Sequence, residues 1–188
     1  MGLDLIEWLI VGVVAFVVIV FVLMFVYYYN RVRVLGNRIE EAWAQIDVQL
    51  KKRYDLVPNL VETVKGYATH ERKVFENVTE ARERMVSGSS RQEQMQASDQ
   101  LTGALRTLFA VAENYPVLRA SENFKLLQEQ LEGIENKIAY SRQYYNSSVL
   151  NYNNLITTIP GSWFAGGRQK HEFLEIPEEE RKPVQVKF

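Results

Sequence analysis

Near its start the chain contains an uncharged apolar run of twenty-two residues, from Trp8 to Tyr29. At about 1.5 Å per residue a helix of this length is roughly 33 Å long, enough to cross a hydrocarbon core about 30 Å thick. Only a helix or a closed barrel can satisfy every backbone polar group inside lipid. The run therefore predicts a transmembrane helix, and the residues that follow it are expected to work at the surface of a lipid bilayer.

The two flanks of this run differ in charge. Asp4 and Glu7 precede it, whereas Arg31, Arg33 and Arg38 follow it. Because basic residues concentrate on the cytoplasmic side of a membrane, this asymmetry predicts an N-terminus outside and a C-terminal body in the cytoplasm. A cleaved signal peptide would need a basic start, a shorter apolar stretch and a small-residue cleavage site. We therefore expect an uncleaved, single-pass anchor.

Composition and motifs argue against catalysis. The chain has no cysteine and a net charge of −1, without a basic stripe that would suit nucleic acid. His70 and Glu71 begin like the zinc signature H-E-x-x-H, but position 74 is Val. Neither a glycine-rich phosphate loop nor a serine-hydrolase elbow is present. The sequence predicts a protein that is not an enzyme and needs no cofactor or metal.

Four amphipathic stretches follow the anchor, each with apolar residues at helical spacing. The last has a heptad seam, which is typical of a coiled coil or a bundle. Because three shorter amphipathic partners lie in the same chain, we expect an all-α fold, with an N-terminal transmembrane helix before an antiparallel up-and-down four-helix bundle. The predicted divisions are a short tail and anchor (1–30), a cytoplasmic helical bundle (31–158) and an aromatic and charged tail (159–188).

Pro58 leaves two layouts of the first two stretches open. A turn near Asp55–Asn59 would give separate helices, because proline lacks a backbone donor and disturbs the carbonyl of Tyr54. A kink would instead fuse them into a rod of roughly 85 Å. Half of the apolar face of such a rod would lack a partner within the chain. The turn is therefore favoured.

Two polar, proline-bearing segments form a candidate partner or turn surface. In the up-and-down layout both fall at the end of the bundle far from the membrane, where they could bind a partner or simply cap helix ends. The residues of this surface are Arg53, Asp55, Pro58, Asn59, Glu113, Asn114, Tyr115 and Pro116.

Two further candidates lie towards the C-terminus. Buried tyrosines and asparagines need hydrogen-bond partners, so a helix interface, between helices or between subunits, is expected at Tyr145, Asn146, Tyr152 and Asn153, with an exposed polar face as the alternative. Trp163 and Phe164 stand among glycines and a proline, and aromatic rings favour the lipid headgroup layer. They are the candidate membrane-surface contact.

Several of these segments resemble the LemA family. The similarity is carried by AWAQIDVQL at 42–50, RYDLVPNLVETVKGY at 53–67, ENYP at 113–116, and the pairs Tyr145-Asn146 and Tyr152-Asn153. These motifs occur in order over nearly the whole chain. Position 159 is Ile, where an aromatic residue is common in the family.

The resemblance implies a bacterial protein of the cytoplasmic membrane, with an anchor and a helical bundle but no established reaction. Some LemA-like proteins sit beside a membrane-bound zinc protease of the HtpX type, and a relative takes part in building magnetosome membranes. We therefore expect a non-enzymatic membrane-anchored scaffold or adaptor, which self-associates or binds a membrane protein. The alternatives are a membrane-remodelling protein and an accessory subunit of a membrane protease.

Overall fold

The part of the chain that the structure describes is mostly helical. The computed structural model describes residues 4–175, so the predicted roles of the tail beyond residue 175 lie outside it. Residues 4–175 contain no strand and form six helices, which are α1 (Leu5–Lys65), α2 (Arg72–Ser87), α3 (Arg91–Ala112), α4 (Pro116–Ala120), α5 (Glu122–Thr157) and α6 (Gly161–Phe164). The all-helical class is confirmed, while the up-and-down order of a four-helix bundle stays a prediction.

The described residues divide into two compact units. Unit 1 contains residues 4–41 and 147–172, and unit 2 contains residues 42–146 and 173–175. Helices α1 and α5 each contribute to both units. The predicted divisions of the chain at residues 30 and 158 stay predictions.

The apolar run forms the first part of α1. This helix is long and apolar enough to cross a membrane, and none of its most apolar window is buried inside the structure. Large apolar side chains such as Leu9, Phe16 and Phe21 are exposed, as is expected where lipid rather than protein surrounds a helix. The helix continues from Tyr29 through Asn30 without a break.

The favoured turn near Asp55–Asn59 is wrong. Helix α1 contains Pro58 in its interior and ends only at Lys65. The apolar seam also continues past the proline, because Val57, Leu60 and Val64 are all buried. Burial of this seam on both sides of Pro58 offsets the hydrogen bond that proline removes. The chain turns instead at residues 66–71.

A side chain from another helix replaces the donor that Pro58 lacks. In a regular helix the backbone N–H of residue 58 would donate to the carbonyl oxygen of Tyr54. Here Arg82 of α2 donates from Nε to that oxygen over 3.0 Å. Its guanidinium carbon also lies 3.6 Å from the centroid of the Tyr54 ring. Arg82 therefore satisfies the carbonyl that the proline leaves without a partner, and it joins α2 to α1.

Helices α2 and α3 form a packed pair that is joined at Gly88–Ser90. Ser90 caps α3 by accepting a bond from the backbone N–H of Glu93, whose carboxylate accepts in return from the backbone N–H of Ser90. Hydrogen bonds from Ser89 and from the backbone of Ser90 hold the pKa of the Glu93 carboxyl below its usual range. Residues 88–90 form the loop between the two helices.

Both units have apolar cores. In unit 1, Val32, Leu35 and Ile39 of α1 are buried, and Gly36 lies against the ring of Tyr152 from α5. In unit 2, contributions come from α1, α2, α3, α4 and α5. The largest fully buried side chains of this unit include Ile46, Leu60, Val64, Val78, Met95, Leu101, Leu108 and Leu118.

Candidate functional site

The C-terminal end of unit 1 brings an aromatic side chain onto the apolar run of α1. Phe164 of α6 is buried, and its ring centroid lies 5.4 Å from that of Phe21 and 6.1 Å from that of Phe25. Its ring also stacks on Tyr28 at 5.5 Å. These separations are typical of favourable aromatic pairs. The predicted membrane-surface residue Phe164 therefore packs on the most apolar part of the chain.

The neighbours of Phe164 point outward. Trp163 is 66% exposed and Ile159 is 71% exposed. The start of α6 approaches α5 so closely that a Cβ at residue 161 would collide with the carbonyl oxygen of Leu155, so glycine is required there. Phe164 thus packs on the apolar run, while Trp163 and Ile159 are exposed. We name the surface formed by Ile159, Trp163 and Phe164 the aromatic wedge.

The two predicted interface asparagines bind the backbone of the tail. The side-chain amide of Asn146 donates to the carbonyl oxygen of Leu174 (2.9 Å), and the backbone N–H of Leu174 donates to Asn146 Oδ1 (2.8 Å). Asn153 makes the same pair of bonds with His171, each of 2.9 Å. Seven residues separate the asparagines on α5, so the same contact recurs once per heptad. We call these contacts the asparagine clamps.

The tyrosine that precedes each asparagine is buried within the chain. Tyr145 lies edge-on to Trp43, with ring centroids 6.2 Å apart, and Arg91 covers both rings. Tyr152 lies edge-on to the ring of His171 at 4.8 Å. Contacts inside the chain therefore account for the Tyr-Asn pairs, and a contact between subunits at these residues stays a prediction.

The first half of the candidate partner surface does not form a turn. Asp55 is exposed and pairs with Lys51 on the same helix at 3.2 Å, so it caps no helix end. Asn59 is exposed, and its carbonyl oxygen accepts a bond from Thr63 one turn later. Pro58 lies inside α1. The predicted capping at this place is therefore wrong, because no helix ends there.

Arg53 is not a surface residue. Its side chain is 3% exposed, and its Nη1 lies 2.7 Å from Glu135 Oε2 on α5. Its guanidinium also donates to the hydroxyls of Ser98 (3.1 Å) and Thr102 (2.9 Å) on α3. Burial lowers the pKa of the Arg53 guanidinium, and the charge of Glu135 opposes that effect. Arg53 therefore joins three helices of unit 2 and is not part of an exposed partner surface.

A second buried ion pair lies in the same unit. Arg142 of α5 contacts Asp99 of α3 at 2.6 Å and donates to the carbonyl oxygen of Glu175. Burial raises the pKa of the Asp99 carboxyl, and the bond from Arg142 opposes this shift. Sequence analysis missed Asp99, Glu135 and Arg142 as partners, because no local pattern marks charges that pair across helices.

The second half of the candidate partner surface is a real turn. Helix α3 ends at Ala112, and Pro116 occupies the first turn of α4, where its missing N–H costs no bond. Glu113 and Asn114 are exposed and Tyr115 is half-buried. Val117, the next residue after the motif, is 71% exposed. The turn thus displays polar groups beside an apolar side chain.

Nothing in the described range suggests a metal centre. Within residues 4–175 no group of three or more His, Cys, Asp or Glu side chains is placed to hold an ion.

Comparison with known proteins gives two kinds of similarity. The chain is 25% identical over 178 residues to the magnetosome protein MamQ of Magnetospirillum gryphiswaldense, which covers 79% of this chain and 65% of that protein. It is 24% identical over 189 residues to the magnetosome protein MamQ 2 of Paramagnetospirillum magneticum, with 85% of this chain and 70% of that protein covered. The names of these relatives state no enzymatic activity. Residues 42–188 match the sequence pattern of the LemA family over most of the chain, and the protein therefore belongs to the LemA family.

Proposed function

We propose that this protein is a non-enzymatic, membrane-anchored helical scaffold, which presents unit 2 to a protein partner or to a second copy of itself. The observation that carries the proposal is the continuity of α1. One helix contains both the exposed apolar run and the buried seam of unit 2, from Leu5 to Lys65. A membrane anchor that shares a continuous helix with unit 2 would hold unit 2, and any protein bound to it, at the membrane.

Orientation follows from charge in this proposal. The span leaves Asp4 and Glu7 outside and Arg31, Arg33 and Arg38 inside, so that unit 2 lies in the cytoplasm. The docking surface that we favour is the turn at Glu113–Val117, because it is exposed and combines polar side chains with Val117. Such a mixture of polar and apolar groups is typical of protein contact surfaces.

The natural absence of cysteine makes this proposal directly testable. Val117→Cys places one thiol on the favoured surface, and Val86→Cys is a matched control on α2, since these valines are 71% and 67% exposed. Full-length protein in native membranes is treated with a bifunctional maleimide. We expect a crosslinked dimer or complex with Val117→Cys and much less with Val86→Cys.

Native mass measurement in mild detergent completes this test. A protein that is monomeric there, and forms no crosslink from either thiol, would contradict the scaffold. A membrane-bound zinc protease of the HtpX type in the crosslinked product would favour the role of accessory subunit.

The aromatic wedge supports a second candidate, membrane remodelling. If the apolar run spans the bilayer, then Phe164, which packs on Phe21, Phe25 and Tyr28, lies at the depth of the same lipids. The exposed Trp163 would then enter the headgroup layer from the side. Insertion of such side chains into one leaflet is a way to bend it, and the relatives named as magnetosome proteins are in keeping with this candidate.

Trp163 itself reports on the wedge. In a full-length variant with Trp8→Phe and Trp43→Phe, we expect lipids brominated near the headgroups to quench the fluorescence of Trp163. Phe164→Ser should remove most of this quenching, because it releases α6 from α1. Trp163→Ser with Phe164→Ser should also abolish any tubulation of liposomes. Fluorescence that brominated lipids leave unchanged would contradict the second candidate.

A further inference from the structure

Two arginines from distant parts of the chain meet at the last aromatic residue of the apolar run. Arg33 donates from Nη2 to the hydroxyl of Tyr29 at 3.3 Å, and its guanidinium carbon lies 5.7 Å from the centroid of that ring. The guanidinium carbon of Arg168 lies 5.3 Å from the same centroid. Both arginines belong to unit 1. Two positive charges therefore converge on one tyrosine.

The fold of unit 1 brings both arginines to Tyr29. Arg33 follows Tyr29 by one turn of α1, so the two side chains share a face. Arg168 reaches this face through a tight turn, in which Gly166 and Gly167 have φ of 61° and 70°. Both its backbone N–H and its Nη1 donate to the carbonyl oxygen of Ala165. The turn directly follows Phe164, which is anchored on α1.

These charges have no anionic partner in the described part of the chain. Among residues 4–175, neither Arg33 nor Arg168 forms an ion pair with a carboxylate. Arg33 is exposed and Arg168 is half-buried, so both side chains are accessible from solvent. Two guanidiniums repel each other unless an anion lies near both, and their planar forks suit the oxygens of a phosphate.

We propose that Arg33 and Arg168 bind the phosphate of an acidic phospholipid beside Tyr29. This inference rests on the proposed membrane anchoring of α1, which puts Tyr29 at the cytoplasmic headgroup layer. Acidic lipids are concentrated there and attract basic side chains near the surface. A lipid bound at this place would contact α1 and the turn after α6 together, and so would hold the aromatic wedge against the anchor.

The test uses full-length protein and native mass spectrometry. Protein extracted in mild detergent is mixed with phosphatidylglycerol or phosphatidylcholine of the same acyl chains, and the retained lipid is counted. Because a direct hydrogen bond between charged groups contributes about tenfold or more in affinity, Arg33→Gln and Arg168→Gln should each lower retention of phosphatidylglycerol by about that factor. Phosphatidylcholine should be retained less well by the wild-type protein.

Arg31→Gln is the matched control. Arg31 is exposed and follows the same apolar run. It precedes Arg33 by two residues, so the two side chains point about 200° apart around the axis of α1. Retention should fall much less in this variant. An equal fall in all three variants would show a general attraction to basic charge and would overturn the site. Equal retention of both lipids, or displacement of the lipid by millimolar inorganic phosphate, would overturn the assignment to an acidic phospholipid.

One further measurement separates this inference from the proposed function. Wild-type protein in membranes is washed with alkaline carbonate. If it is released, the membrane anchor fails and the lipid site fails with it. If it stays in the membrane while Arg33→Gln and Arg168→Gln retain lipid as the wild type does, only the lipid site is wrong.

Discussion

Replacing Glu135 by glutamine is expected to lower the free energy of unfolding by about 3 kcal/mol, because it removes the carboxylate that pairs directly with a buried guanidinium. Arg53 is almost fully buried, and Glu135 is the carboxylate that pairs with it. The hydroxyls of Ser98 and Thr102 would remain as neutral partners and cannot balance the charge. Arg53 Nε already lacks a hydrogen-bond partner, so the site cannot tolerate a further loss.

Urea unfolding of full-length protein in mild detergent, followed by circular dichroism, measures this loss. Glu132→Gln removes the same charge from an exposed position three residues earlier on α5 and should change stability by less than about 0.5 kcal/mol. The double variant Arg53→Met with Glu135→Leu should recover much of the loss, since it removes both charges together. Equal losses from Glu132→Gln and Glu135→Gln would contradict this account of the pair.

Arg82→Met is expected to lower the free energy of unfolding by about 2 kcal/mol, through an unpaired carbonyl and a lost cation–π contact. Methionine keeps much of the side-chain length while it removes the Nε donor to Tyr54 and the charge above the Tyr54 ring. Arg84, two residues later, is exposed and pairs with Glu80. Arg84→Met is therefore the matched control, with an expected loss below about 1 kcal/mol.

Pro58→Ala decides whether the role of Arg82 depends on the proline. Alanine supplies the backbone N–H that proline lacks, so the carbonyl of Tyr54 regains its own helical donor. In the Pro58→Ala background, Arg82→Met should cost about 1 kcal/mol less than it does in the wild-type chain. Thermal unfolding of the four proteins of this cycle gives the coupling energy. A cost of Arg82→Met that is the same in both backgrounds would show that Arg82 acts independently of Pro58.

The helix at Pro58 could not be predicted from the local sequence. A proline in an apolar stretch predicts a break, and the sequence contains both the proline and Arg82. Helix α1 nevertheless continues, because its seam is buried on both sides of Pro58 and the guanidinium of Arg82 reaches the Tyr54 carbonyl. Twenty-eight residues separate these partners, so no window of local sequence contains their contact.

The asparagines of α5 show an intermediate case. The pattern of Tyr145, Asn146, Tyr152 and Asn153 predicts side-chain hydrogen bonds, and the two asparagines form them. Their partners are backbone groups of His171 and Leu174 in the tail. A side-chain amide can form hydrogen bonds with the N–H or C=O group of any accessible residue. The residue types therefore predict that each asparagine has a hydrogen-bond partner, but they do not identify that partner.

The sequence by itself determined the helical class, the apolar run long enough to span a membrane, and the family. Each of these depends on the order of residues along the chain, through helical spacing, a continuous apolar segment or an ordered set of motifs. Only the tertiary structure decided that Arg53 is buried, that Arg82 serves the Tyr54 carbonyl, and that Phe164 packs on the apolar run. These are contacts between segments far apart in the chain, and their energies depend on burial and geometry that exist only after the helices have packed.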